Sequence, residues 1–209
     1  DLVLTPSFKP SVVLHDNRRV QSNNGGGLLA SITETAVNAL FTRPTYTMNL
    51  APRFRLTRNT SQKELDAEGY FIDLSGQKNF ERHQLSAAFG FHRELSATTE
   101  LEEAGVINTG TPRTGFNYSA NWVFSATENL RFITYGAYTD ISYRSVTQTG
   151  LVDFTNSSAG INLEYDFSAQ TTLLGRSNVA LFDTPSRRSE TVSYSVQVGF
   201  RHEFDEQTK

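Results

Sequence analysis

The 209-residue chain has no cysteine, one methionine and one tryptophan. It has no apolar run near the ~18 residues that a membrane-crossing helix requires. Without cysteine there is no disulfide framework and no thiolate metal site. The absence of long apolar runs, with a mean hydropathy of −0.40, excludes a helical membrane protein. It does not exclude a transmembrane barrel, where only alternate residues meet lipid. Basic residues are not in surplus, since the net charge is −3, so a nucleic-acid partner, whose phosphates demand a basic face, is not expected. Signatures of chemistry are also missing. There is no Gly-x-Ser-x-Gly elbow, and Gly25-Gly26-Gly27 is not followed by the Gly-Lys-Ser/Thr of a phosphate loop. The histidines His15, His83, His92 and His202 are scattered. His83 and His92 share a segment on opposite parities and cannot chelate one ion together. No catalytic set, metal site or cofactor is expected.

What the chain does have is 15 phenylalanines and 8 tyrosines, set among Ser, Thr, Asn and Gly, a usage that suits pleated strands. Apolar and polar residues alternate over unusually long segments. The last is the clearest: Val192, Tyr194, Val196, Val198, Phe200, His202 and Phe204 alternate with Thr191, Ser193, Ser195, Gln197, Gly199, Arg201 and Glu203. The same period runs through 2–14, 44–57, 82–94, 114–126 and 156–168, where Leu85, Ala87, Phe89 and Phe91, for example, oppose Gln84, Ser86, His92 and Glu94. Segments 28–41, 67–77, 129–143 and 171–183 sort less cleanly. In 129–143 the charge of Arg131 places it on the polar side, with Leu130, Phe132 and Tyr138 on the other. In 28–41 apolar residues fall on both parities, so a helix carrying Leu28, Leu29, Ile32, Ala36 and Leu40 stands as an alternative to the strand that its Thr and Ser residues favour.

Between these segments long connections (15–27, 58–66, 96–113, 144–153, 184–189) alternate with short ones (42–44, 77–81, 126–129, 168–171). Barrels of the bacterial outer membrane sort their loops in this way and use an even strand number. Strands of roughly 12–15 residues exceed the ~9–11 that cross hydrocarbon at a tilt, and soluble strands typically stop near 5–6. The expectation is an all-β, antiparallel up-and-down transmembrane barrel of about ten strands, one domain over 1–209, with both ends periplasmic. The start at Asp1, with neither a basic nor an apolar leader, reads as a mature chain after signal removal or as a fragment.

Residues Gln197, Gly199, Phe200, His202 and Phe204 resemble the C-terminal β-signal that the barrel-assembly machinery reads in outer-membrane proteins. His202 stands where a larger hydrophobe is usual, and Asp205 to Lys209 trail the final Phe. The opening, Pro6-Ser7-Phe8 through His15-Asp16-Asn17, together with Phe80-Glu81-Arg82, resembles outer-membrane barrels found with exopolysaccharide and exosortase gene clusters. The resemblance implies outer-membrane localisation, a lipid bilayer and the assembly machinery as partners, and periplasmic or export-complex proteins beyond them.

Parity places Lys9, Arg53, Arg55, Asp73, His92, Glu94, Arg131, Glu164, Asp166, Arg176, Arg201 and Glu203 toward the barrel interior. The two signs are nearly balanced, so the charges are expected to pair across a narrow lumen. Tyr46, Phe91, Tyr118, Trp122, Tyr138, Tyr165 and Phe204 read as interfacial girdles rather than a ligand platform. Three readings follow. The first is a porin-like or export-accessory barrel. The second is a structural or adhesive barrel that binds through outer loops such as 96–113. The third resembles the omptins, ten-stranded outer-membrane proteases with a His and acidic residues at the rim. His15-Asp16, with Asp66 and Glu68 nearby, would supply that set, although adjacent His-Asp is commoner as a solvated turn.

Overall fold

In a computed structural model, ten strands form one antiparallel sheet in sequence order: β1 (Leu2–His15), β2 (Leu28–Arg43), β3 (Tyr46–Asn59), β4 (Ala67–Asn79), β5 (His83–Leu95), β6 (Pro112–Ser125), β7 (Leu130–Tyr143), β8 (Phe154–Ser168), β9 (Thr171–Thr184) and β10 (Ser189–His202). The structure describes residues 1–15, 28–60, 63, 66–95, 111–144, 151–185 and 188–204. No described residue lies in an α-helix, so the helical alternative for 28–41 is corrected to strand. There the backbone of β2 is held on both flanks, by β1 and by β3, and β-branched Ile32, Thr33 and Thr35 suit the pleat. Four tight connections (Pro44–Thr45, Phe80–Arg82, Ala126–Asn129, Ala169–Gln170) gather at one end of the sheet. Connections at the other end are longer, with one departure from the expected alternation: 185–188 is as short as Ala126–Asn129.

Each strand ties a side-chain face to a ladder side. Asp1 and Thr42 exchange both backbone bonds, at 2.7 and 2.9 Å. In an antiparallel pair such positions alternate, so the odd-numbered residues of β1 bond β2. The even-numbered ones, Leu2 through Leu14, direct N–H and C=O away from the sheet. Glu203 N donates to Gln170 O at 2.9 Å, so in β10 the odd-numbered residues likewise serve β9 and the even-numbered ones face outward from the edge. No ladder joins β1 to β10 among the described residues: the sheet is open, where closure was expected. Two free-edge positions of β1, Pro6 and Pro10, carry no N–H, the usual place for proline in a sheet. Pro52 obeys the same rule inside the sheet. Its nitrogen faces β2, and the β2–β3 ladder is interrupted where Ala51 and Pro52 stand opposite Val37 and Asn38.

The two faces differ in kind. Following the register across the sheet from Leu2 gives Phe41, Met48, Gly76, Ala87, Ala120, Gly136, Ala159, Val179 and Tyr194, all on one face and all uncharged. Above this row, toward the long-connection end, the first charge on that face is Arg58 on β3, Glu68 on β4, Arg93 on β5, Asp140 on β7 and Asp183 on β9. These stand ten, eight, six, four and four residues from the row. Below it, Arg43 and Lys78 lie two residues away, whereas in β10 the apolar series runs down to Phe204, ten residues away. An apolar band therefore crosses the sheet obliquely and keeps a similar width.

The opposite, polar face is the more sheltered one. In β8, Gly160, Asn162, Glu164 and Asp166 are half-buried while Ala159, Ile161, Leu163, Tyr165 and Phe167 are exposed. Buried apolar residues are confined to a few positions, among them Ala30, Phe71 and Ile141, all on the polar face. Two glycines there admit rings lying flat over the neighbouring strand. The Tyr135 ring covers Gly160, and the His92 ring covers Gly115, where an added Cβ would run into the imidazole and Ile141. Gly115→Ala is expected to cost about 1–3 kcal/mol through overpacking. A denaturant titration followed by tryptophan fluorescence measures it, and adding His92→Ala should recover part of the loss.

Candidate functional site

The charged residues of the polar face gather into two groups. The upper group is built on β2 through β6. Glu34 on β2 accepts Nε and Nη2 of Arg55, both at 3.1 Å, and lies 3.6 Å from Nη1 of Arg53. Register puts Lys9 of β1 directly opposite the same carboxylate. The guanidinium of Arg53 lies 4.2 Å from the ring centre of Phe71, with that of Arg55 at 5.4 Å. This is a cation–π arrangement in which Glu34 and the Phe71 ring hold both arginines. Beside it a hollow of about 380 Å³ is lined by Arg53, Phe71, Asp73, His92, Glu94 and Arg113. Its floor is Ile141, only 2% exposed.

The lower group lies on β7 through β10. Arg131 and Glu164 stand opposite each other in register and pair at 2.8 Å. Arg176 Nε donates to Asn162 at 3.2 Å, and the Thr172 hydroxyl donates to Asp166 at 2.7 Å. A second hollow of about 330 Å³ takes in Asn162, Glu164, Arg176, Gln197 and Arg201. Between the groups the polar face is lined by neutral side chains in mutual contact. Thr139 bonds Asn117 at 3.0 Å, and the Tyr135 hydroxyl bonds Asn178 at 3.3 Å.

All twelve charged residues assigned to the interior by parity belong to this face, and the register brings most of them together. Lys9 sits on an exposed edge strand, and Glu203 lies just past the end of β10. Two members were missed. Glu34 was overlooked because the faces of 28–41 were not sorted, yet it is the one charged residue between Leu28 and Leu40. A strand there would have had to send it to the polar side. Arg113 was read as loop, whereas β6 begins at Pro112.

The other face carries no comparable chemistry. A third hollow, about 1130 Å³, lies there over Gly76, Ala87, Ala120 and Gly136, between walls of Leu74, Phe89, Tyr118 and Tyr138 on one side and Leu85 and Trp122 on the other. Only Lys78 brings a charge to its lip. His83 stacks with Phe124, ring centres 4.7 Å apart, and accepts the indole N–H of the adjoining Trp122 at 3.2 Å. This leaves it on the opposite face from His92. Among the described residues no three His, Asp or Glu converge as metal ligands. The residues that resemble an assembly signal lie toward the end of the edge strand β10, with Phe204 just past it. Gln197 and Gly199 belong to the polar face, and Phe200, His202 and Phe204 to the apolar one, with Phe200 74% exposed. The His15 side chain, Asp16 and the segment 96–110 lie outside the described residues. Compared with known proteins, the chain matches no family model and no curated protein.

The half-sheltered Glu34 cluster is expected to contribute more to stability than the lower pair. Glu34→Ala should cost about 1–3 kcal/mol, because two arginines then lose their counter-charge. Glu164→Ala, beside the 42%-exposed Arg131, should cost less than about 1 kcal/mol. Unfolding midpoints compared in one detergent distinguish the two.

Proposed function

We propose that the chain spans the outer membrane of a Gram-negative bacterium as a ten-stranded barrel, with its polar face lining a narrow, porin-like interior. The observation that carries this reading is the oblique apolar band. On strands tilted within a membrane, a flat hydrocarbon slab cuts successive strands at different residues, and the steps from Arg58 to Asp140 have that form. The exposure of Ile161, Leu163, Tyr165 and Phe167 along one face of β8 fits lipid contact, since soluble monomers rarely expose contiguous apolar patches beyond a few hundred Å². Strands of 13 to 16 residues are long enough to cross. Tyr46, Trp122 and Tyr165 toward the tight-turn end, and Tyr70 and Phe91 toward the other, stand where interfacial girdles belong.

Ten strands enclose a lumen only slightly wider than eight, where side chains fill the interior. Paired charges of both signs line it, so the conduit suits small polar solutes or ions and has weak charge selectivity. Such a bore is too narrow to thread a polysaccharide. If the likeness to exopolysaccharide-cluster barrels carries function with it, this chain is an accessory of export rather than its channel.

Adjacent positions on β6 provide the test. Ala120→Arg places a charge at the centre of the apolar band and should cost about 2–4 kcal/mol of folding in lipid vesicles. Ser119→Arg, on the polar face, should be close to neutral. Equal effects of the two would refute the assignment of faces. The folded protein should also change its gel mobility on boiling. Detergent-free solubility with unchanged migration would rule out a membrane barrel. In planar bilayers small, brief conductance steps are expected, and wide, long-lived pores would contradict a narrow lumen.

A further inference from the structure

The two free edges are complementary, and resting on the barrel reading we infer the register in which they meet: β1 and β10 pair antiparallel with Leu2 opposite Phe204, Phe8 opposite Val198 and Val12 opposite Tyr194. Three observations converge on it. The unpaired N–H and C=O groups of both edges belong to the even-numbered residues, and in both strands those are the apolar-face residues. Joining them as hydrogen-bonded pairs keeps apolar side chains on one face and polar ones on the other.

The second observation is the band itself. On β1 the apolar positions begin at Leu2 and continue by number to Leu14. On β10 they run from Val192 to Phe204. Only this register lines up both ends, so that the oblique band meets itself around the circumference. The third is geometric. The row that starts at Leu2 ends at Tyr194, so pairing Tyr194 with Val12 offsets the sheet by ten residues on closure. With strands ~4.8 Å apart and ~3.3 Å per residue, an offset of about ten is the smallest that reaches the ~35° tilt of membrane barrels. The register of fullest overlap, Leu2 opposite His202, gives an offset of only about eight and steps the apolar band by two residues.

One consequence concerns the strength of this seam. Pro6 comes to face Phe200 and Pro10 to face Val196, and neither proline has an N–H to give. Two carbonyls of β10 then lack their donors, so the β1–β10 ladder closes with two gaps in its hydrogen bonding.

The chain has no cysteine, so introduced pairs report without background. Three full-length double variants are oxidised after folding, each first checked for a boiling-dependent gel shift. They are Phe8→Cys with Val198→Cys, Phe8→Cys with Val196→Cys, and Phe8→Cys with Phe200→Cys. Cα atoms of a facing hydrogen-bonded pair lie ~5.5 Å apart, within disulfide reach, and diagonal positions two residues away fall near or beyond its limit. The first pair is expected to form an intramolecular disulfide at least about tenfold faster than the others. Faster linkage in either of the others overturns the register and leaves the barrel standing. Links only between molecules show that each edge meets a second copy. No link in any heat-modifiable variant places another strand between the edges. Either result overturns self-closure. Loss of the gel shift in the unmodified chain would sink the barrel reading itself.

Discussion

Chirality couples two directions in every β-strand. For a strand of given direction, the face to which a side chain points fixes the side to which that residue's N–H and C=O point. The rest of this structure depends on that coupling. In β3 the odd-numbered residues bond β4 and carry Asn49, Arg53 and Arg55 on the polar face. The even-numbered ones turn to β2 and carry Met48 and Leu50 on the apolar face. A proline is tolerated in the interior only where a broken rung does little harm, as at Pro52. Because the strand number is even, both outer strands expose the backbone groups of apolar-face residues.

The faces then divide the energetic problem. The polar face shelters charges partially, a costly position for any of them alone, and the sheet answers with short cross-strand pairs. Glu34 holds two arginines, Phe71 backs them, and Arg131 faces Glu164. The apolar face has no inner partner layer, and nothing among the described residues covers it. In the proposed membrane setting, hydrocarbon supplies the apolar surrounding of a sheet whose backbone is otherwise internally bonded. Charged residues on this face appear only at its margins, such as Arg58 paired with Glu68 at 3.5 Å.

Much of this could be read from the residues in order. β5, β6, β8 and β10 alternate so regularly that span and face follow from counting, and the opposite placement of His83 and His92 follows from parity alone. β2 could not be sorted. Ala30, Ile32 and Ala36 share the polar face with Glu34, so hydrophobicity does not mark which side is which. There only the single charge is informative, and Glu34 turned out to be the centre of the upper cluster. Arg113 was missed because strand ends depend on hydrogen bonds that composition does not report. The resting of His92 on Gly115, and of Tyr135 on Gly160, was equally illegible: each pair is brought together by the register between two neighbouring strands, which neither strand's own pattern carries.

The sequence by itself determined the number of strands, their approximate limits and, outside β2, most of the sorting of residues between faces, because these depend on a period of two carried locally. Tertiary structure alone decided the stagger between neighbours, and with it the slope of the apolar band, the partners of each charge and the two edges left unpaired. Those depend on backbone bonds between distant segments. Shifting one strand by two residues changes every partner while leaving its own alternation intact.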